Sequence, residues 1–155
     1  MNKVVKMKFL ALSMPLALVM VLAGCGAETA PSKSVSATNA CSVDFINGSA
    51  NPLVAVTDGR IAMRGWAFDH NTMTVPETVD LLLKDREGKV FVIAGGKRAE
   101  RPDVAKVFKS PAVSGAGFTL VASVAEVPKG AYGFSLRMSD GSREVLCGIK
   151  KNITL

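Results

Sequence analysis

A hairpin pattern near the C-terminus limits the possible folds of this chain more than any other part of the sequence. Over Ala131–Ser139, apolar and polar side chains alternate with a period of two, which is typical of a strand with one buried face. Asp140-Gly141 follows, a dipeptide typical of two-residue hairpin turns. Arg143–Lys150 then returns with apolar residues in phase. The pattern predicts two adjacent antiparallel strands, whose apolar faces need a core to pack against.

Similar short segments fill the rest of residues 41–155. Thr78–Asp85 and Lys89–Ala94, joined by a glycine-containing turn, form a second predicted hairpin. Further predicted strands are Cys41–Ile46, Leu53–Thr57, Arg60–Phe68 and Ala116–Ser123, and Asn152–Leu155 is expected to extend the strand at Arg143–Lys150. A short helix is predicted at 103–108, after Pro102. Seven or eight short strands without a long amphipathic helix predict an all-β domain, an antiparallel, immunoglobulin-like β-sandwich.

The N-terminal stretch has the layout of a secretory signal. Three lysines precede an apolar run that contains no charged residue and ends in small residues. The run Phe9–Ala23 contains Pro15 and falls short of the roughly 20 apolar residues that a membrane-spanning helix requires. The sequence therefore predicts a removable signal rather than a transmembrane anchor.

Leu22-Ala23-Gly24-Cys25 resembles the lipobox of bacterial lipoproteins. An ordinary signal peptide needs no Cys at this junction. The resemblance implies that residues 1–24 are a lipoprotein signal peptide and that Cys25 carries the acyl chains, and two or more chains suffice for stable anchoring. In enteric-type bacteria an Asp after the Cys resembles an inner-membrane retention signal. Gly26 stands there instead, which implies the outer membrane, on its periplasmic or surface face.

Residues 26–40 are small, polar and non-periodic, which predicts a flexible tether between the lipidated Cys25 and the folded domain. After removal of residues 1–24, 16 Lys and Arg face 13 Asp and Glu, a net charge of +3. This mild and scattered excess does not indicate a nucleic-acid-binding surface.

Lipidation of Cys25 leaves an even pair, Cys41 and Cys147. In an oxidising compartment such a pair favours a disulfide, the alternative being two buried free thiols. The chain has no C-x-x-C and one His, so it offers no zinc ligand set. The single His, His70, is the only residue that could act as the usual base of a hydrolytic triad. No Ser lies in a G-x-S-x-G motif, which is typical of the nucleophile in such hydrolases. We therefore expect no catalytic residues, metal or cofactor.

Three pieces follow one another in the order Gly65-Trp66-Ala67-Phe68-Asp69, Arg101-Pro102-Asp103-Val104-Ala105 and Gly115-Ala116-Gly117-Phe118. Their order and spacing resemble a small β-sandwich module appended to many bacterial envelope, secreted and glycosyltransferase-associated proteins. There the pattern is G-W-A-x-D, a valine-rich strand, R-x-D-V and G-F. The resemblance implies an accessory, immunoglobulin-like module to which no reaction is assigned.

Five residues are candidates for binding, and each has a structural alternative: Trp66, His70, Arg98, Arg101 and Lys106. Trp66 is expected either as a core anchor or as a platform for ligand stacking. Arg101 is expected either to pair with Asp103 or Asp69 and so pin a long loop, or to contact an anion or sugar together with Arg98. His70 lies in a polar turn, where a solvated side chain is the default.

We therefore expect a membrane-anchored lipoprotein with a non-catalytic role, which binds or supports another component of the cell envelope, most simply a protein. The loops 95–115 and 66–73 are the surfaces that this expectation points to, since binding residues concentrate on loops held by rigid sheets. One alternative is a glycan binder or an inhibitor of an envelope-attacking enzyme, with Trp66 or Tyr132 exposed. A hydrolase is the second alternative, and it requires a concave pocket with converging acids or His70.

Overall fold

The computed structural model of the chain describes residues 33–155. This part of the chain is all-β, as the sequence predicts, with one short helix and a 3-10 turn at Pro111–Val113. The strands are β1 (Ser34–Thr38), β2 (Cys41–Ile46), β3 (Leu53–Ala55), β4 (Arg60–Ala67), β5 (Thr78–Lys84), β6 (Val90–Ala99), β7 (Gly117–Ser123), β8 (Ala131–Ser139) and β9 (Arg143–Thr154), and the helix is α1 (Pro102–Val107).

The strands form one hydrogen-bonded sheet in the order β1-β9-β8-β5-β6-β7-β4-β2, with β3 beside the end of β9. The sheet folds over at β6, because the first part of this strand pairs with β5 and only Lys97–Ala99 pair with β7. Glycines permit the bend. Gly95 has a φ of 109°, and a Cβ on Gly96 would collide with the carbonyl oxygen of Val79. The result is a β-sandwich whose two halves are continuous through β6.

The main core lies between these halves and takes side chains from both. Ile61 and Leu120 are completely or almost completely buried on one half, and Leu81 and Leu136 on the other. Burying such a side chain contributes about 1.5–3 kcal/mol. On the side opposite β6, a disulfide between Cys41 in β2 and Cys147 in β9 joins the two halves, so the predicted pairing is confirmed.

Two features differ from the expectation. The strands are not all antiparallel, because β1 and β3 both pair with β9 in parallel. The predicted tether is also too long, since its last part forms β1, and Ala40 after it is buried. Four of the five β1 residues are exposed, so the strand is held by backbone pairing and lacks the apolar alternation that marks a strand in sequence. The predicted signal peptide, the lipidated Cys25 and the rest of the tether lie outside the described residues.

A second, smaller cluster holds α1 against one end of the sandwich. Its buried members are Ala40, Phe68, Val104, Val113 and Ala116. Pro102 occupies the first turn of α1, where its missing N–H costs nothing. Among the described residues, no helix has the length and apolar content needed to span a membrane.

The strand register defines two ends of the sandwich. We call the first the N-terminal end, because Lys33 leads into β1 there. This end also holds the β8–β9 turn at 140–142, the β4–β5 loop at 68–77 and the segment 100–116. At the opposite end, the far end, lie the β5–β6 turn at 85–89 and the β7–β8 turn at 124–130.

Candidate functional site

Arg98, a candidate binding residue, uses its guanidinium group inside the protein. Nε and NH2 donate to the carbonyl oxygen of Pro76 at 2.8 and 2.6 Å, and NH1 donates to those of Ala67 at 2.8 Å and Ala116 at 3.2 Å. Burial lowers the pKa of Arg98 to about 10, so the group stays charged at neutral pH. These bonds leave one of its five N–H donors for other partners. Arg98 therefore connects the ends of β4 and β6 to the starts of β5 and β7.

Arg101 lies just before α1 and forms two ion pairs. Nε and NH2 donate to the two carboxylate oxygens of Asp103, and NH1 donates to Oδ2 of Asp44, each at 2.8 Å. The hydrogen bond from Arg101 is the main cause that lowers the pKa of Asp103 to about 2. The same pairing raises the pKa of Arg101. The structure thus shows the expected ion pair between Arg101 and Asp103. The second carboxylate that pairs with Arg101 is Asp44, and not Asp69.

Glycines in the first and third motif pieces, Gly65 and Gly117, make this geometry accessible. Asp44 lies at a bulge of β2, where the register with β4 shifts between Val43 and Phe45. A Cβ on Gly65 would collide with the carbonyl oxygen of Ser42 and keep β2 from approaching. A Cβ on Gly117 would come within 2.7 Å of Arg101 Cγ. The motif that resembles the accessory module therefore encodes one structural contact between β2, β4, β7 and α1.

Trp66 belongs to an aromatic group at the N-terminal end. The ring of Phe108, just after α1, lies 4.8 Å from that of Phe68, 5.6 Å from that of Trp66 and 6.0 Å from that of His70, between centroids. Phe68 is buried, Trp66 and Phe108 are half-buried, and His70 is exposed. Trp66 packs against the second cluster, so it anchors α1 to the sandwich rather than filling the main core.

The neighbouring loop is organised by Asp69, which is buried. Its Oδ1 accepts from the backbone N–H of Asn71 at 3.0 Å, and its Oδ2 accepts from Oγ1 of Thr72 at 2.8 Å. NH1 of Arg143 lies 3.9 Å from Oδ2. Through these contacts the Asp69 carboxylate caps the turn that follows β4, as the position of Asp69 at the end of a strand predicts.

His70 and Lys106 lie at the same end but do not converge on a pocket with the arginines. The backbone N–H of His70 donates to Oγ1 of Thr38 at 3.3 Å, which joins the loop to β1. Lys106 is exposed and has no ion-pair partner among residues 33–155. Within that range no group of three His, Cys, Asp or Glu side chains is close enough to hold a metal ion. Tyr132, named with the glycan alternative, is buried, and its hydroxyl donates to the carbonyl oxygen of Pro128.

Sequence reasoning missed a cleft along the fold-over side of the sandwich. Because β6 and β7 pair only at Lys97–Ala99, they diverge toward the far end and leave a cleft of about 740 Å³. Val90–Ala94 form one wall, and the other is formed by Ala122, Ser123 and residues 125–127. Val90 and Val92 are about half exposed there. The only sequence signal was Gly95-Gly96, which marks the bend but not the opening that it creates.

The cleft walls have unused backbone pairing capacity. Val90–Ile93 pair with β5 on one side, and no strand within the described residues pairs with them on the other. Residues 120–123 of β7 likewise pair only with β4. Two strand edges therefore border an apolar cleft, which is an arrangement that can accept an added strand.

No protein-family model matches this chain, and no curated protein matches it either.

Proposed function

We propose that this protein is a membrane-anchored bacterial lipoprotein that acts as a non-catalytic docking module for another cell-envelope protein. The observation that carries the proposal is the cleft between β6 and β7. Its occupant is an extended segment of the partner, which pairs with the open edge of β6 and places apolar side chains against Val90 and Val92.

Three features favour docking in the cleft over docking at the loops 95–115 and 66–73. The guanidinium groups of Arg98 and Arg101 are occupied by internal contacts. The exposed valines lie on a strand edge, and exposed apolar strand edges are normally blunted by charge or covered. The disulfide suits a compartment outside the cytoplasm, and the Leu22–Cys25 lipobox supports a lipid anchor in the outer membrane.

Photo-crosslinking in intact cells tests the docking proposal. A benzoyl-phenylalanine at Val92 is expected to trap one protein through a short contiguous segment, and the adduct should disappear when Val90→Lys is added. The matched control places the same probe at Leu53, which is also 61% exposed but lies in β3 beside β9, away from the cleft. Equal trapping at both positions, or adducts that survive Val90→Lys, would refute docking in the cleft.

The anchor is tested separately. Mass spectrometry of the mature protein is expected to find an N-terminal Cys25 that carries a diacylglyceryl group and an N-acyl chain. Cys25→Ser should release the protein from the membrane fraction. An unmodified Cys25, or membrane association that persists in the variant, would contradict the lipoprotein assignment.

A further inference from the structure

We infer that the N-terminal end of the sandwich rests on an anionic phospholipid surface, with the segment Lys106–Lys109 in contact with the lipid. This inference rests on the proposed acylation of Cys25. Val107 is 75% exposed and is the most exposed large apolar side chain of residues 33–155. It lies in the sequence Lys106-Val107-Phe108-Lys109, in which an apolar pair is bracketed by cations. Such a combination suits the interface between headgroups and acyl chains.

The length of chain between the lipid and the fold restricts how the domain can sit. Because β1 begins at Ser34, only residues 26–33 separate it from Cys25. Eight residues span at most about 28 Å even when fully extended. The chain enters the sandwich at the N-terminal end, so this end is the one that the anchor holds close to the membrane.

Direct contacts connect the point of entry to Lys106–Lys109. The amide of Asn71 donates to the carbonyl oxygen of Ala37 in β1 at 3.3 Å. The adjacent His70 ring lies 6.0 Å from the Phe108 ring. The β4–β5 loop thus bridges β1 and the end of α1, and the tethered end and the Val107 surface belong to one contiguous part of the domain.

The charge of this part fits an anionic surface. Residues 97–109 carry five Lys and Arg against two Asp and Glu, a net of +3, which equals that of the whole chain after residue 24. Arg101 is shared by Asp103 and Asp44, so this group contributes no positive charge, whereas Lys106 and Lys109 have no ion-pair partner among the described residues. Glu77 and Glu100 are exposed at the same end and weaken the attraction without removing it. Each basic residue near an anionic bilayer strengthens binding about fivefold.

Depth-dependent quenching tests the orientation on the full lipidated protein. The protein is reconstituted into phosphatidylcholine vesicles with one third phosphatidylglycerol and a bromine-labelled lipid quencher. Val107→Cys supplies a single labelling site, since Cys25 is acylated and Cys41 and Cys147 are disulfide-bonded. The matched control is Leu53→Cys, which is 61% exposed in β3 at the far end. We expect the fluorophore at position 107 to be quenched and that at position 53 to stay unquenched.

Charge reversal gives the second readout. Lys106→Glu with Lys109→Glu removes two basic residues and adds two acidic ones, so it is expected to lower the equilibrium constant for contact by more than about 30-fold and to remove most quenching at position 107. Equal quenching at both positions, none at position 107, or no effect of charge reversal would overturn the inference. Mass spectrometry of the same sample separates the proposed orientation from the proposed lipid anchor. An acylated Cys25 without quenching refutes the orientation alone, and an unmodified Cys25 refutes both the anchor and the orientation.

Discussion

Replacing Arg98 by Met tests whether this residue is a structural connector. Met keeps the unbranched apolar stem but donates no hydrogen bond. The carbonyl oxygens of Pro76 and Ala67 then lose the guanidinium, whereas Ala116 O keeps the N–H of Ala67 at 2.9 Å. A carbonyl deprived of its donor costs about 1–3 kcal/mol. Removing a charge whose burial is unfavourable offsets part of this loss, as the lowered pKa of Arg98 indicates.

The expected net loss is about 3 kcal/mol in the free energy of unfolding. For a domain of this size that corresponds to a fall of about 12 °C in Tm. Thermal and urea unfolding, followed by circular dichroism on a soluble chain that starts at Gly26, measure both quantities. Arg98→Lys should lose about half as much, because one ammonium group cannot reproduce the planar fork.

Lys97→Met is the matched control. Lys97 is the exposed neighbour of Arg98 in β6 and has no ion-pair partner among the described residues. Its replacement should change stability by no more than about 0.5 kcal/mol. If Arg98→Met unfolds within this margin of the parent chain, the four hydrogen bonds are not stabilising the N-terminal end, and the reasoning is wrong.

Three further outcomes are expected. Replacing Cys41 and Cys147 by Ala should lower the free energy of unfolding by about 4–5 kcal/mol, because the disulfide closes a loop with a sequence separation of 106. An unchanged midpoint of urea unfolding would contradict this. The folded-state pKa of Asp103 is lowered to about 2, so its stabilising contribution is complete above pH 4 and lost as the pH falls toward 2. The stability difference between the parent chain and Asp103→Asn should follow that course, and a difference constant from pH 5 to 2 would refute it. Gly65→Ala should destabilise strongly, whereas Gly148→Ala, with open space around its Cβ position, should be tolerated in the same thermal scan.

Local patterns in the sequence predicted most of the secondary structure. Alternation and turn dipeptides located β2 to β5 and β7 to β9 to within a few residues, and Pro102 marked the start of α1. The predicted end of β6 at Ala94 was wrong, because the strand continues to Ala99, into the segment predicted as a loop. These elements are predictable because each is specified by its own neighbours, through side-chain period and turn chemistry. The disulfide was predicted from the number of cysteines and the oxidising compartment that the N-terminal stretch predicts. In the candidate site, sequence proximity predicted the pair between Arg101 and Asp103.

Long-range pairing decided the rest. Neither the parallel addition of β1 to β9 nor the contact of Arg101 with Asp44 leaves a local pattern, because each depends on a partner far along the chain. The same holds for Arg98. Its charge suggests a binding surface, but its guanidinium group bonds three carbonyl oxygens that are far from it in the sequence. The cleft arises because two strands meet over only three residues and then diverge. Local sequence patterns therefore specify every strand except β1, whereas long-range packing sets which strand edges stay unpaired, since an edge is defined by the neighbour it lacks.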